Sequence, residues 1–307
     1  MGATVKIGFL NDASGPIAVY GPGFVAASQI AIGLANTIGY SNGVQFEIVY
    51  ADSGCDGTMG ATAAQALIDA GVWGAVGAAC SGASMGAATL LSAAGIPQVS
   101  YASTSPALSD ATAYPGFFRV VPSDAFQGSV VADVMTADGM DNVAVIHMTT
   151  AYGSGLADAF VDNMDASDIC SQAGYEEATT DFSGIVASVI NDGCTSVMMV
   201  SYATDGAALI EEMATQGIVG EDGGPFPVMG ADGIADMGFL AAFSDPTAAA
   251  MVIATKPASG TDSQTKTDFE TAWADPYDGD DAVANTGSGG GGGGWTPAGS
   301  RRGGAGA

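Results

Sequence analysis

The chain has 307 residues, room for two ordinary domains, and 48% of them are hydrophobic, enough to bury a sizeable core. Lys and Arg number 6 against 33 Asp and Glu, for a net charge of −27. No basic patch can be assembled from that balance, which excludes nucleic acid and anionic membrane surfaces as partners, whereas an acidic, solvated coat suits a salty medium.

Val5–Leu10 reads as an apolar strand ending in Asn11-Asp12-Ala13-Ser14-Gly15-Pro16. Lys6 leads straight into it, with no leader-like opening at Met1, and no run of about 18 apolar residues is apparent. The turn Tyr20-Gly21-Pro22-Gly23 precedes a helix over Phe24–Thr37, and Val44–Ala51 alternates as a strand that reaches Asp52-Ser53-Gly54-Cys55. A helix over Thr58–Ala70 follows. Then come an apolar strand, Val72–Ala79, a turn at Cys80-Ser81-Gly82, and an Ala-rich helix, Ala83–Ala94, closed by Gly95. Ile96–Ala102 is a further strand, ending in Ser103-Thr104-Ser105-Pro106. Two parallel strands thus deliver small hydroxyl residues to one sheet edge, where open α/β sheets bind ligands. Ser81, at or near a helix N-terminus, can hold an anion with the free N–H groups of the first turn. No Lys or Arg lies in this stretch, which favours a carboxylate over a phosphate.

Phe117–Val121 is a strand, and Asp124 reads as the N-cap of a helix over Ala125–Ala137. The pattern then restarts. Strands are expected at Val143–His147, Tyr175–Thr179, Val197–Ser201, Pro227–Gly230 and Ala249–Thr255, and helices at Leu156–Met164, Ile185–Asn191 and Ala207–Gln216. This is βαβα twice over, the signature of two doubly wound parallel sheets. Asp268–Trp273 reads as a short helix, and the chain then thins to a Gly-rich, linker-like tail with six glycines at Gly289–Gly294. The expected organisation is one lobe from 1–122 with 256–286, a second from 123–255, and a disordered tail at 287–307. Hinges are expected at Val121–Asp124 and Thr255–Pro257.

Catalytic patterns are absent. His147 is the only histidine and lies within a strand; no G-x-S-x-G elbow and no phosphate-binding G-x-x-x-x-G-K-[ST] occurs. Neither a metal site nor a cofactor is expected. The four cysteines form two pairs of similar spacing, Cys55 with Cys80 and Cys170 with Cys194. The layout fits one disulfide per half in an oxidising compartment; four buried free thiols are the other arrangement it allows. At the strand ends, the first half offers Ser81, Ala102, Ser103 and Thr104, and the second offers Tyr152, Tyr202 and Asp232. Hydroxyls and helix N–H groups suit a carboxylate, a lone carboxylate suits an ammonium, and aromatic rings suit an apolar tail. Together they describe an amino acid zwitterion. Taken singly, Tyr152 and Tyr202 are ordinary packing residues and Asp232 a turn residue before Gly233.

From Lys6 to Pro257 the chain resembles type I periplasmic binding proteins, specifically the leucine/isoleucine/valine-binding proteins of branched-chain amino acid ABC transporters. The resemblance rests on an ordered set: Ser14-Gly15-Pro16 with Tyr20-Gly21, Asp52 with Cys55, Cys80-Ser81, Ala102 to Leu108, Asp124 with Gln127-Gly128, Tyr152-Gly153, and Met229 to Gly233. It implies that Ser81, Ala102 and Thr104 grip the carboxylate and ammonium, that Tyr20, Tyr152 and Tyr202 line or close the site, and that Asp232 meets the ammonium. It also implies a Cys55–Cys80 bridge. Asp232 stands where leucine-type binders usually carry Glu, one methylene longer. The resemblance further implies a monomer outside the cytoplasm, in the periplasm or on the outer membrane face, that meets a membrane permease. The family has more strands and helices after the second lobe, so the C-terminal part here is expected to be truncated. A sensing ectodomain of the same fold, reading amides, urea or amino acids without transport, is the alternative.

Overall fold

A computed structural model of the chain describes residues 4–37, 43–219, 226–257 and 263–277. The first sheet is built from β1 (Thr4–Asn11), β2 (Gln45–Asp52), β3 (Gly74–Val76), β4 (Gln98–Ser100) and β5 (Phe117–Arg119), with α1 (Gly21–Thr37), α2 (Gly57–Ala70) and α3 (Ser81–Ala93) between them. The second is built from β6 (Val143–Met148), β7 (Ile169–Tyr175), β8 (Ser196–Val200), β9 (Val228–Gly230) and β10 (Val252–Ala254). Its helices are α4 (Asp124–Ala137), α5 (Ala151–Val161), α6 (Ser183–Asn191), α7 (Ala203–Thr215) and α8 (Met237–Ala242). A last helix, α9 (Gln264–Tyr277), packs against α1. The Gly-rich segment at 287–307 lies outside the described residues.

Every strand pairing is parallel, in the orders β2-β1-β3-β4-β5 and β7-β6-β8-β9-β10. The two orders are the same winding, so the second half repeats the first. β6 and β8 are buried at every position and read as apolar runs broken only by His147 and Ser196, as central strands covered on both faces do. Phe160, Leu156, Met198, Met199 and Leu209 fill the second core; Leu10, Leu67, Leu91 and several alanines fill the first. Small residues bring α2 and α3 together: a Cβ on Gly60 would run into the backbone of Ala83. That contact fixes where α3 begins.

Five expectations change. β7 spans Ile169–Tyr175, not Tyr175–Thr179, which puts Cys170 inside a strand. The expected strand at Ala249–Thr255 is a 3-10 turn over Pro246–Met251 followed by the short β10. Asp124 does not cap α4: Ser123 does, its hydroxyl accepting from Ala125 N–H at 3.2 Å, while Asp124 opens the helix itself. α3 begins at Ser81 rather than at Ala83, with Cys80 in the N-cap position, so Ser81 does lie at the helix N-terminus. Finally, one helical stretch, Ala18–Thr37, is long and apolar enough by composition to cross a membrane; here it flanks the first sheet with Phe24 and Ala26 turned inward.

Candidate functional site

The loops after β1, β3 and β4 face those after β6, β8 and β9, all at the carboxyl ends of their strands. Asp52 ties the first lobe's rim together, accepting from Ala13 N–H, Gly54 N–H and the Ser14 hydroxyl at 3.0, 3.0 and 2.7 Å. The Cys55–Cys80 disulfide, with Cα atoms 5.1 Å apart, joins that rim to the start of α3. A second disulfide, Cys170–Cys194, spans 5.5 Å between Cα atoms at the opposite, amino-terminal end of the second sheet. The described residues hold no free thiol.

At α3 the first turn is open. Ser84 N–H makes its bond to Cys80 O at 3.0 Å, and the N–H groups before it are directed past the helix end. Ser81 is buried; its Oγ accepts from Ser105 N–H at 3.1 Å and keeps its own proton to donate. Ser103 behaves differently from the reading above. Its hydroxyl is turned into the lobe, bonded to Ala79 O at 2.9 Å, Ala78 O at 3.1 Å and Ser84 Oγ at 2.8 Å. Ser100 Oγ accepts from Ala102 N–H at 3.2 Å and Ser103 N–H at 2.8 Å while donating to Ala78 O. Arg119 braces the same loop, donating to Ser105 O at 2.9 Å and to the Ser109 hydroxyl. Ser100, Ser103 and Arg119 are therefore the frame that presents Ser81, Ala102 and Thr104.

The second lobe presents acids and aromatic rings. Tyr152, in α5, donates to Asp232 Oδ1 at 2.9 Å, and Gly233 N–H donates back to the Tyr152 hydroxyl at 3.2 Å. A Cβ on Gly233 would stand 3.1 Å from that hydroxyl and strike Ser201 O, so only glycine fits. The Tyr152 and Tyr202 rings stack at 5.7 Å and 9°. Burial pushes Asp232 above the usual carboxylate range, against the Tyr152 hydrogen bond. Asp205, at the start of α7, is occupied: Tyr175 donates to it at 2.5 Å.

Between the lobes lies a residue whose place in the sequence predicts a helix cap. Asp124 is fully buried, and neither carboxylate oxygen finds a hydrogen-bond donor. Burial first, then the charge of Asp232, pushes it up to about 8; the Thr104 side chain and Arg119 pull the other way and do not offset this. Its backbone N–H donates to Thr104 O at 2.9 Å, so the crossing into lobe two is tied to the site loop of lobe one. Gln127, one turn on, reaches Thr255 Oγ1 at 3.3 Å and links the two crossings. A serine and an aspartate before a helix look alike in sequence; only the fold reveals which one is buried.

Among the described residues, two tyrosine hydroxyls reach across the cleft. Tyr20 donates to Asp236 Oδ2 at 2.5 Å, and the Tyr202 hydroxyl lies 3.5 Å from Cys80 Sγ and 3.7 Å from Cys55 Sγ. The lobes are thus apposed. Of the residues expected at the site, Tyr20, Ser81, Thr104, Tyr152, Tyr202 and Asp232 border this cleft, as does the backbone of Ala102. No three His, Cys, Asp or Glu side chains come together as a metal site among the described residues.

A family model described as periplasmic binding protein matches residues 4–292. The chain belongs to the periplasmic binding protein family. Its curated relatives include the Leu/Ile/Val-binding protein homolog 3 of Brucella melitensis, 29% identical over 220 residues, 70% of this chain. Another is the leucine-, isoleucine-, valine-, threonine- and alanine-binding protein of Pseudomonas aeruginosa, 26% identical over 225 residues, 72% of this chain. The aligned regions span 59% and 60% of those relatives' lengths. Among solved structures, the substrate-binding protein of a Streptococcus pneumoniae branched-chain amino acid transporter, in complex with isoleucine, superposes with a TM-score of 0.74. It is 22% identical, over 90% of this periplasmic binding protein and 78% of its own chain. That likeness establishes the type I fold, two parallel sheets facing across a cleft.

Proposed function

We propose that this protein is the extracytoplasmic substrate-binding component of an ABC transporter, and that it captures an amino acid, branched-chain or similar, between its lobes and delivers it to a membrane permease. The observation that carries the reading is the opposition of unlike walls: Ser81 with the open first turn of α3 on one side, Asp232 with Tyr152 on the other. A zwitterion brings two charges into a desolvated cleft, and each needs a partner. Neutral donors of lobe one would take the carboxylate; Asp232 would take the ammonium; Tyr20, Tyr152 and Tyr202 would enclose the side chain. The two disulfides support an oxidising location. The relatives that align over most of the chain are named as binding proteins, which puts transport ahead of sensing.

Closure would move 1–122 with 256–286 against 123–255, about hinges at Val121–Asp124 and Thr255–Pro257, driven by contacts made only in the closed state. The test is calorimetry of the monomeric chain against the twenty amino acids, urea and short amides, with small-angle scattering of the same samples. An amino acid should bind and reduce the radius of gyration. Binding of urea or amides without any amino acid would overturn the reading; an unchanged radius with binding established would refute closure.

A further inference from the structure

Asp124 has no work in the zwitterion scheme as it stands, and its surroundings are costly for a charge. The side chain is fully buried and neither oxygen has a donor within hydrogen-bond distance; among the described residues, Asn11, Asp12, Gln98 and Tyr101 each leave one buried side-chain oxygen in that state, and Asp124 alone leaves two. The groups that face it come from four elements. Asp232 approaches from the loop after β9, Tyr152 from α5, Arg119 from β5 and Thr104 from the loop after β4. Gln127 lies on its own helix and turns to Thr255. Of these, Arg119 alone is cationic, and its bonds go to Ser105 O, Ser103 O and Ser109 rather than to Asp124. The Tyr152 hydroxyl goes to Asp232. The N-terminal end of α4 and the Thr104 side chain favour the ionised form, but a buried carboxylate with no donor at full hydrogen-bond distance and a second carboxylate beside it is penalised more heavily.

Two acids in one dry site settle as one ionised and one neutral. Asp232 holds the tyrosine bond and is the one to keep its charge; Asp124 is the one to stay neutral. An ammonium supplies three donors, enough to bond both carboxyls together, and its charge removes the reason for Asp124 to hold a proton. We propose that Asp124 is protonated in the unliganded cleft and releases that proton to solvent when a ligand ammonium enters beside Asp232. The ligand keeps all three of its ammonium protons; the O–H bond of Asp124 is the only one broken. This rests on the reading of the cleft as an amino acid site. It makes Asp124 a coupling residue: capture is favoured at neutral pH and release in acid. In the window between the bound-state value and the free value of about 8, affinity should rise up to ~tenfold per pH unit.

The test is titration calorimetry of the full chain with L-leucine near pH 6, in buffers of widely different ionisation enthalpy. The heat should depend on the buffer with a slope approaching one proton released per ligand bound. Asp124→Asn should bind leucine more weakly and release none. Equal heats in all buffers from the parent chain, or undiminished proton release from Asp124→Asn, overturns the exchange. The carboxylic acid C=O stretch of the unliganded chain, in difference spectra against Asp124→Asn, provides a readout independent of the ligand. A protonated-acid band near pH 6 supports the proposal even where leucine is not bound, and the absence of that band overturns it even where leucine is.

Discussion

The two lobes share one winding and differ in what they bring to the cleft. The first ends its strands in small hydroxyls and an open helix turn, held in place by Ser100, Ser103 and Arg119; the donors it offers to the cleft, the Ser81 hydroxyl and the first-turn N–H groups of α3, are neutral, and the Arg119 cation is spent on the loop behind them. The second ends its strands in Tyr152, Tyr202 and Asp232, and the crossing adds Asp124, leaving more acceptors than donors. Repetition of the fold thus supplies two equivalent ledges, and residue chemistry makes one a wall of neutral donors and the other a wall of acids and aromatic rings; in the proposed function the first would take a carboxylate and the second an ammonium. A ligand with opposite charges at two ends of one carbon suits that pairing; a singly charged ligand leaves one wall unsatisfied.

Breaking the acidic wall should have the largest effect. Asp232→Ala removes one member of a buried charge pair, a loss of about 2–5 kcal/mol in binding, so amino acid affinity should fall at least tens-fold by calorimetry. The free protein should lose little stability, because the mutation also removes an acid whose own burial is unfavourable. Asp205→Ala should change affinity far less, since Tyr175 already occupies that acid. Equal affinity of Asp232→Ala and parent would mean that the ligand is not held by an ammonium.

The neutral wall can be loosened instead. Replacing Cys55 and Cys80 by serine opens a loop of 25 residues' separation and should cost roughly 3 kcal/mol of stability in urea denaturation. It should also weaken binding, because the same sulfurs meet the Tyr202 hydroxyl across the cleft. Replacing Cys170 and Cys194 opens a loop of nearly equal size, 24 residues' separation, and should cost similar stability with unchanged affinity, its bridge lying at the far end of the second sheet. Equal effects of the two double variants on affinity would erase the distinction between a bridge that shapes the site and one that only staples a lobe.

The architecture is largely legible because central strands such as Val143–Met148 and Ser196–Val200 are almost entirely apolar, and turn chemistry marks their ends. The failures have physical causes. β7 is an edge strand of small and polar residues, Cys170-Ser171-Gln172-Ala173-Gly174, paired on one side only, so it needs no apolar pattern. Ser103 sits among candidate ligand hydroxyls, yet the backbone turns it inward, and nothing in Ser-Thr-Ser tells one hydroxyl from the next. Asp124 and Ser123 both satisfy the cap pattern, and burial chose between them. Tyr20 and Asp236 are 216 residues apart and come from different lobes; the tyrosine was expected at the cleft, but its partner was beyond any local signal.

That last pair gives the smallest expected effect and the most direct probe of how the unlike walls are held together. The Tyr20 hydroxyl is half-buried, and burial together with the Asp236 carboxylate pushes its ionisation upward, so it stays a donor throughout the accessible range. Asp236 has a second task, accepting from Phe239 N–H at 3.0 Å to cap α8. Tyr20→Phe therefore removes the bond between lobes while leaving the helix cap and the ring packing against Phe24 in place. The freed carboxylate is only half-buried and water can replace the donor, which limits the loss to ~1 kcal/mol, roughly fivefold in affinity. Because the bond exists only when the lobes are apposed, the loss should appear as faster dissociation, with the association rate and the melting temperature of each lobe's fold unchanged. Stopped-flow exchange of bound ligand against an excess of competitor reads this directly. A Tyr20→Phe variant that lost affinity through slower association would place the hydroxyl in ligand entry rather than in closure, and the two walls would then be held together by the ligand alone.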